Sequence, residues 1–406
     1  MNKTICAYPF VHSHVSATYE RKLCCLTPAL PDRFKSTTKE FWNSDYVKQV
    51  RLDMIEGKPI AGCEYCYNFE KNGGKSLRLK INEQYPLEEL VRYTESDGTL
   101  DIEPSFYDIR STVCNLQCIT CDENSSSMHK KLAVKLDISE NGHRVDAEYE
   151  RQLANEIIEG LTAKRVRVLY WAGGEPMIMK IHWDVINKME ELYELPDYQD
   201  YIKSIQLFYN TNLTKLYYKN KYIPEVLSKF NTVIWASLDG VMETHNYCRD
   251  GSNWETVYNN WLEYRKYISK LSVASVLSAP VLMDIERYIE FLEAEQCNFF
   301  DHEYLPIGYN KLLDVKIYPN DMFYEIVENA KTKLINSKLD KACVDNSVAI
   351  LSKYVDERES VAVDYRSIKR EILVRDKFGR GNISFGELLS IVNDKYHNWY
   401  SDITTD

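Results

Sequence analysis

Three cysteines stand within eight residues of one another, and each can offer a thiolate to a soft metal ion. They are Cys114, Cys118 and Cys121, in the spacing C-x3-C-x2-C. A structural zinc site normally uses four protein ligands, whereas a four-iron cluster held by three thiolates leaves one iron free for an exchangeable ligand. The count of three therefore favours a catalytic iron–sulfur cluster.

A second group of cysteines lies within the first 66 residues. We assign Cys6, Cys24, Cys63 and Cys66 as ligands of a second metal centre, with Cys25 in reserve. Two-residue spacing, as in Cys63-x-x-Cys66, suits zinc and iron–sulfur sites equally well. An auxiliary iron–sulfur cluster is our preferred interpretation, and a four-thiolate zinc site is the alternative.

The eleven cysteines indicate metal binding rather than disulfides. We find no secretory signal, so we expect a cytoplasmic protein, and the cytosol keeps thiols reduced. Cys248, Cys297 and Cys343 stand alone, and we interpret them as buried thiols without a functional role.

The elements that must position these groups alternate between β-prone runs and amphipathic helices, which is typical of repeated βα units. Parallel strands need such crossovers, and these are nearly always right-handed. We therefore predict an α/β fold, a partial (βα)6 TIM-like barrel with a small cysteine-rich N-terminal module and a helical C-terminal extension. The six predicted strands are 106–111, 166–171, 205–209, 232–237, 272–278 and 298–305. The predicted domains are residues 1–100, a twitch/SPASM-like auxiliary iron–sulfur module, 101–309, the barrel, and 310–406, the mainly helical extension.

The three-cysteine loop directly follows the first predicted strand, and in this position it resembles the signature of radical S-adenosylmethionine (SAM) enzymes. The second predicted strand ends in Gly173-Gly174-Glu175, similar to the family's glycine-rich motif that contacts the amino group of SAM. Adjacent glycines let a backbone approach a ligand closely. On its own the glycine pair would more simply indicate a tight βα turn.

Two later segments add to this resemblance. Asn210 and Asn212, after the third predicted strand, resemble the family's segment near the SAM ribose. Ser237, Asp239 and Arg249, after the fourth, resemble residues of the SPASM/twitch branch that hold the SAM carboxylate. An arginine fork matches a carboxylate well.

The sequence departs from the family pattern at two positions. Leu213 stands where relatives have a glycine, and Thr120 stands where most have an aromatic residue against the adenine. The N-terminal cysteines and the residues around Phe41 and Trp42 resemble the twitch or SPASM auxiliary module. That module follows the barrel in most relatives, whereas here it precedes it.

The resemblance implies the chemistry. It implies a [4Fe-4S] cluster that binds SAM, a 5′-deoxyadenosyl radical that abstracts hydrogen from an organic substrate, and in this chain one auxiliary cluster for electron transfer. It also implies a low-potential electron donor such as flavodoxin or ferredoxin. The substrate, a peptide, sugar or other metabolite, and any catalytic side chain stay unidentified at this stage.

Composition excludes several other classes of function. The formal net charge is −11, and the positive residues form no cluster, so we expect neither nucleic acid nor a membrane surface as partner. No apolar stretch approaches the roughly 20 residues that cross a bilayer. The competing class is a noncatalytic protein that uses iron–sulfur or zinc sites for structure or electron transfer.

Overall fold

The structure is a computed structural model of the 406-residue chain. It describes residues 3–29, 34–71, 74–137, 145–297, 299–301, 314–358, 363–380 and 383–405.

Strands and helices alternate through the middle of the chain. The strands are β1 (His12–Val15), β2 (Arg21–Lys22), β3 (Phe106–Arg110), β4 (Val168–Ala172), β5 (Gln206–Thr211), β6 (Tyr217–Tyr218), β7 (Lys221–Tyr222), β8 (Asn231–Ser237), β9 (Lys270–Ser275) and β10 (Phe299–Asp301). The helices are α1 (Tyr8–Val11), α2 (Thr38–Trp42), α3 (Asp45–Ile55), α4 (Glu64–Lys71), α5 (Leu77–Asn82), α6 (Leu87–Arg92), α7 (Ser127–Lys135), α8 (Ala147–Thr162), α9 (Lys180–Tyr193), α10 (Pro196–Ser204), α11 (Ile223–Ser228), α12 (Met242–Cys248), α13 (Trp254–Tyr267), α14 (Ala279–Met283), α15 (Ile285–Ala294), α16 (Asn320–Asn336), α17 (Lys341–Arg358), α18 (Tyr365–Phe378), α19 (Phe385–Val392) and α20 (Asp394–Asp402).

The chain divides into two compact units. The first comprises Met1–Val113, His143–Tyr209 and Val226–Thr232, and the second comprises Cys114–Gly142, Asn210–Glu225 and Val233–Asp406.

The first unit contains β1 to β4 and most of β5. β3, β4 and β5 pair in parallel, as expected for strands joined by the long helices α8 and α9. β1 adds in parallel beside β3, with His14 opposite Asp108, and β2 pairs antiparallel with β1. The sequence analysis missed β1, because its four residues are too few for a clear period-2 pattern. The N-terminal segment therefore extends the same sheet.

The N-terminal segment also packs a hydrophobic core in this unit. Phe41, Trp42, Val47 and Met54 are buried together with Phe106 of β3. The sequence of residues 39–56 has the amphipathic pattern of one helix, but the chain forms two helices here, α2 and α3. Ser44 interrupts the helix because its hydroxyl caps the start of α3.

The second unit contains most of β8 and the strands β9 and β10, which pair in parallel, followed by the C-terminal helices. α16 buries an apolar face, and the Tyr247 ring of α12 lies 5.5 Å from the Phe385 ring of α19. The C-terminal segment is thus built largely of helices in its described part.

The predicted class is confirmed: the chain is a mixed α/β protein whose strands pair mostly in parallel. Each of the six predicted strands has a counterpart, although residue 298 and residues 302–305 of the last one lie outside the described residues. Of the helices in the described ranges, none combines the length and apolar character that a bilayer crossing needs. The boundaries of the three predicted domains stay predictions.

Candidate active site and thiol cluster

The three-cysteine loop begins three residues after β3 ends and is held by backbone hydrogen bonds within the second unit. Gln117 N–H donates to the Asp250 carbonyl and Ile119 N–H to the Cys248 carbonyl, each at 2.9 Å. The His129 ring nitrogen Nε2 lies 2.8 Å from the Cys118 carbonyl oxygen. These hydrogen bonds fix the backbone of the loop, and a preorganised ligand set requires such a fixed backbone.

The thiols of this loop lie in a polar and largely buried setting. Cys118 is buried, while Cys114 and Cys121 are partly accessible. A hydrogen bond with Cys121 and the nearby Arg249 guanidinium lower the pKa of Cys118, although burial acts in the opposite direction. A lowered pKa favours the thiolate, the form that binds metals.

Arg249 links the loop to the segment after β8. Its Nη1 lies 3.8 Å from Cys118 Sγ, and its Nε lies 2.7 Å from Asp239 Oδ2. Asp239 in turn accepts a hydrogen bond from Val276 N–H at 2.9 Å. The structure therefore brings Asp239, Arg249 and Cys118 together, whereas Ser237 ends β8 as a half-buried residue.

A second polar group connects the loop to the segment after β5. Asn212 Nδ2 donates to Asn115 Oδ1 at 3.1 Å, and Asn115 Nδ2 donates to Thr214 Oγ1 at 2.9 Å. Leu213 is fully buried with φ of +53°, a left-handed conformation that favours glycine. The backbone thus keeps the glycine conformation at the position where the family has glycine. Asn210 lies two residues before Asn212, in β5.

The glycine pair after β4 lies in the first unit. Gly173 and Gly174 have φ of +70° and +57°, and a Cβ on Gly174 would lie 2.3 Å from the Val113 carbonyl oxygen. Glu175 N–H donates to that same carbonyl at 2.7 Å. The Glu175 carboxylate is fully buried and accepts a hydrogen bond from Met177 N–H at 3.0 Å. The two glycines therefore let the backbone of this turn lie close to Val113, the residue that directly precedes Cys114.

Four of the N-terminal cysteines converge in the first unit. Cys6, Cys24, Cys63 and Cys66 line one cavity, and Cys63 and Cys66 are brought to it by the start of α4. Burial raises the pKa of Cys24 and of Cys63 to about 11. Cys25 does not line this cavity in the described part of the chain. The four cysteines assigned from the sequence therefore share one cavity.

Cys25 has a different environment. Burial raises the pKa of Cys25 to about 12, and its electrostatic neighbours include Arg110 and Asp108 of β3. Cys24 and Cys25 lie in a turn after β2, in which Thr27 N–H donates to the Cys24 carbonyl at 3.2 Å, and the two adjacent thiols have different surroundings there. The three isolated cysteines differ in setting, since Cys248 is buried whereas Cys297 and Cys343 are half-buried.

Several residues around the three-cysteine loop were missed by sequence analysis. Asn115 lies inside the motif but is not one of its thiol ligands, and Asp250 and Arg380 contact the loop from positions far away in the sequence. Arg380 Nη1 donates to the Asn115 carbonyl at 2.6 Å, and Arg380 N–H donates to the Asp250 carboxylate at 2.8 Å. No local pattern marks Arg380, because its partners lie far away in the sequence.

Comparisons with known proteins give distant similarities. No protein-family model and no curated protein matches the chain. Among solved structures, it is similar to native anSMEcpe with bound AdoMet, at 15% identity and a TM-score of 0.38, over 71% of this chain and 80% of that chain. It is also similar to Streptococcus suis SuiB bound to S-adenosylmethionine, at 15% identity and a TM-score of 0.37, over 73% of this chain and 64% of that chain. Similarity at this level does not transfer an activity to this chain.

Proposed function

We propose that this chain is a radical SAM enzyme whose catalytic [4Fe-4S] cluster is held by Cys114, Cys118 and Cys121. The observation that carries the proposal is the three-cysteine loop after β3, which meets Arg249 at Cys118 and Asn212 at Asn115. A plain electron carrier has no use for such polar groups beside a cluster with one open iron. With the cluster and SAM bound, Cys114, Cys118 and Cys121 would hold a group that could supply one electron to cleave SAM, and the 5′-deoxyadenosyl radical formed from SAM would abstract hydrogen from the substrate.

The residues around the loop have separate tasks in this proposal. Arg249 places a permanent positive charge beside the Cys118 thiolate and is held by Asp239, so it favours the anionic form of the ligand set. Asn212, with Asn210 nearby in sequence, is assigned to the SAM ribose. Gly173, Gly174 and Glu175 are assigned to the methionyl amino group, and Ser237 to the carboxylate beside Arg249.

We assign an auxiliary iron–sulfur cluster to Cys6, Cys24, Cys63 and Cys66. The convergence of the four thiols on one cavity supports this assignment. Four thiolates suit either a zinc ion or an iron–sulfur cluster, and the iron content of the protein distinguishes the two. Four protein ligands leave no open iron, so the role assigned is electron transfer.

The proposal also includes an electron donor and a cellular compartment. A low-potential flavodoxin or ferredoxin would provide the electron, and a reducing, cytoplasmic compartment would keep the thiols available. The substrate is an organic molecule such as a peptide, a sugar or another metabolite.

The test measures iron and SAM cleavage on anaerobically reconstituted full-length protein. We expect about eight irons per chain and 5′-deoxyadenosine after reduction with dithionite in the presence of SAM. The Cys114→Ala/Cys118→Ala/Cys121→Ala variant should keep about four irons and form no 5′-deoxyadenosine. The Cys63→Ala/Cys66→Ala variant should also keep about four irons but retain SAM cleavage.

Cys297→Ala and Cys343→Ala are the matched controls, and both should keep the full iron content and SAM cleavage. Unchanged SAM cleavage in the triple variant would refute the catalytic assignment. Zinc instead of iron at the N-terminal thiols would show that they form a structural zinc site and not an auxiliary cluster.

A further inference from the structure

A buried group of two imidazoles and one carboxylate lies beside the N-terminal thiols in the first unit. His12 and His14 are alternate residues of β1 and share one face of the sheet, and Asp108 lies opposite His14 in the parallel pair with β3. The three residues are 3%, 2% and 3% exposed. Strand register, rather than a flexible loop, therefore fixes their relative positions.

The ligand atoms of the three side chains lie close together. His14 Nδ1 is 2.9 Å and His12 Nε2 is 4.0 Å from Asp108 Oδ2, and all three ligand atoms lie within 4.8 Å of one another. With metal–ligand bonds of about 2.1 Å, two ligand atoms are about 3.0 Å apart at a right angle and at most about 4.2 Å apart. Small side-chain movements would bring the whole set into this range.

Hydrogen bonding accounts for only part of this group. His12 Nδ1 lies 3.1 Å from the Leu23 carbonyl oxygen and must carry the proton there, which leaves Nε2 as a lone-pair donor. Among the described residues, His12 Nε2 has no hydrogen-bond partner, whereas His14 Nδ1 lies 2.9 Å from Asp108 Oδ2 and can donate to that carboxylate. Burying an unsatisfied polar atom costs about 1–3 kcal/mol, and a bound cation would satisfy His12 Nε2 and take the place of the proton between His14 and Asp108.

The surroundings resemble the outer shell of a metal site. The Leu23 carbonyl orients His12, as outer-shell acceptors commonly orient ligating histidines. Arg110 Nε and Nη2 lie 3.1 and 3.2 Å from the Asp108 oxygens and fix the carboxylate. The guanidinium charge also repels a cation, so affinity should be moderate, in the micromolar range.

We infer that His12 Nε2, His14 Nδ1 and Asp108 Oδ2 form a binding site for one divalent first-row transition metal ion, separate from both thiol groups. Two imidazoles and a carboxylate suit Zn²⁺, Fe²⁺, Co²⁺ and Mn²⁺ and disfavour Ca²⁺ and Mg²⁺, which prefer oxygen ligands. This inference does not depend on the radical SAM proposal.

Zinc binding to the full-length Cys63→Ala/Cys66→Ala protein tests the site, because that background removes two of the four thiols assigned to the auxiliary centre and so breaks up the competing four-thiolate set. The protein is reconstituted, treated with chelator, supplied with Zn²⁺, desalted and analysed for zinc. We expect one zinc per chain, and X-ray absorption at the zinc edge should show only nitrogen and oxygen neighbours at about 2.0–2.2 Å. Zinc should also raise the thermal midpoint of this parent by several degrees.

His14→Gln and Asp108→Asn, introduced separately into that background, should each lower zinc affinity at least tenfold and remove the zinc-induced rise in thermal midpoint. Iron retained at the Cys114 loop and an unchanged circular dichroism spectrum serve as the folding control. Unchanged zinc content in both variants, sulfur neighbours at about 2.3 Å, or no stoichiometric zinc in the parent would each overturn the inference. None of these readouts uses SAM cleavage, so the two proposals can fail independently.

Discussion

At the scale of single residues, Arg249 and Asp239 form a buried ion pair in the candidate active site. The Asp239 side chain is 1% exposed and the Arg249 side chain 14%. Burial alone would lower the pKa of Arg249, but the Asp239 carboxylate and the Cys118 thiol hold it above its ordinary value. Such a pair is stable only while both charges are present, because a single buried charge is costly.

Arg249→Lys should reduce SAM cleavage at least tenfold while leaving about four irons at the Cys114 loop. Lysine keeps the positive charge but cannot reach Asp239 and Cys118 together through one planar fork. The measurement is 5′-deoxyadenosine formed per chain under saturating reductant, together with iron content. Wild-type cleavage in Arg249→Lys would show that the fork is dispensable, and Lys22→Arg, an exchange outside the second unit, is the control.

At the scale of elements, the turn after β4 packs closely against Val113, the residue before Cys114. Gly174→Ala would place a Cβ 2.3 Å from the Val113 oxygen in a left-handed backbone conformation. The conformation alone costs about 1–2 kcal/mol, and the clash adds to it. We expect a lower thermal midpoint and at least a twofold loss of iron, because Val113 is bonded directly to Cys114.

Gly386→Ala is the matched control for this substitution. Its Cβ would lie 3.5 Å from the Tyr400 ring, an ordinary contact, and the residue lies in α19. Its thermal midpoint and iron content should stay at wild-type values. Equal behaviour of the two alanine variants would contradict the role given to the glycine pair.

The segment after α18 holds the three-cysteine loop through Arg380. Arg380→Ala removes the hydrogen bond to the Asn115 carbonyl, worth about 1 kcal/mol for an exposed side chain. We expect iron to leave the Cys114 loop about fivefold faster in the presence of a chelator, with little change in thermal midpoint. Absorbance of the cluster followed over time gives this rate.

Arg370→Ala is the control, because Arg370 makes the same kind of contact elsewhere. Its guanidinium donates to the Thr405 carbonyl and does not touch the loop. Iron loss at the wild-type rate is expected for this variant. If both arginine variants lost iron equally fast, the effect would be general rather than specific to the loop.

At the scale of the whole molecule, buried neutral histidines should set the response to acid. Burial lowers the pKa of His182 to about 3, and the ring is fully buried beside the Tyr209 hydroxyl, 3.0 Å away. Below about pH 6.5, His182 becomes protonated in the unfolded chain but stays neutral in the folded chain. Stability is therefore full above pH 6.5 and falls as the pH drops towards 3.

Between pH 7.5 and 5.5, the free energy of unfolding should fall by about 1.4 kcal/mol less in His182→Gln than in the wild type. The measurement is the free energy of unfolding in urea at the two pH values for the wild type and the variant. The exposed-surface control is Lys341→Gln, which should leave the pH dependence unchanged. An identical pH dependence in His182→Gln would show that His182 is protonated in the folded state.

The sequence alone determined the features that depend on local patterns. The strand of residues 106–110, the helices that follow each strand and the α/β class follow from hydrophobic periodicity, which is set by side chains close together in the chain. The spacing of Cys114, Cys118 and Cys121 likewise carries its chemistry in eight residues. The break between α2 and α3 was a local signal as well, but the cap at Ser44 was overlooked.

Only the tertiary structure decided which distant residues meet. It separates Cys25 from the cavity of Cys6, Cys24, Cys63 and Cys66, and it places Arg380 on Asn115, 265 residues away in sequence. It also brings His14 beside Asp108 through the pairing of β1 with β3. Such contacts arise from strand register and packing between segments, and no periodic pattern within a single segment specifies its partner.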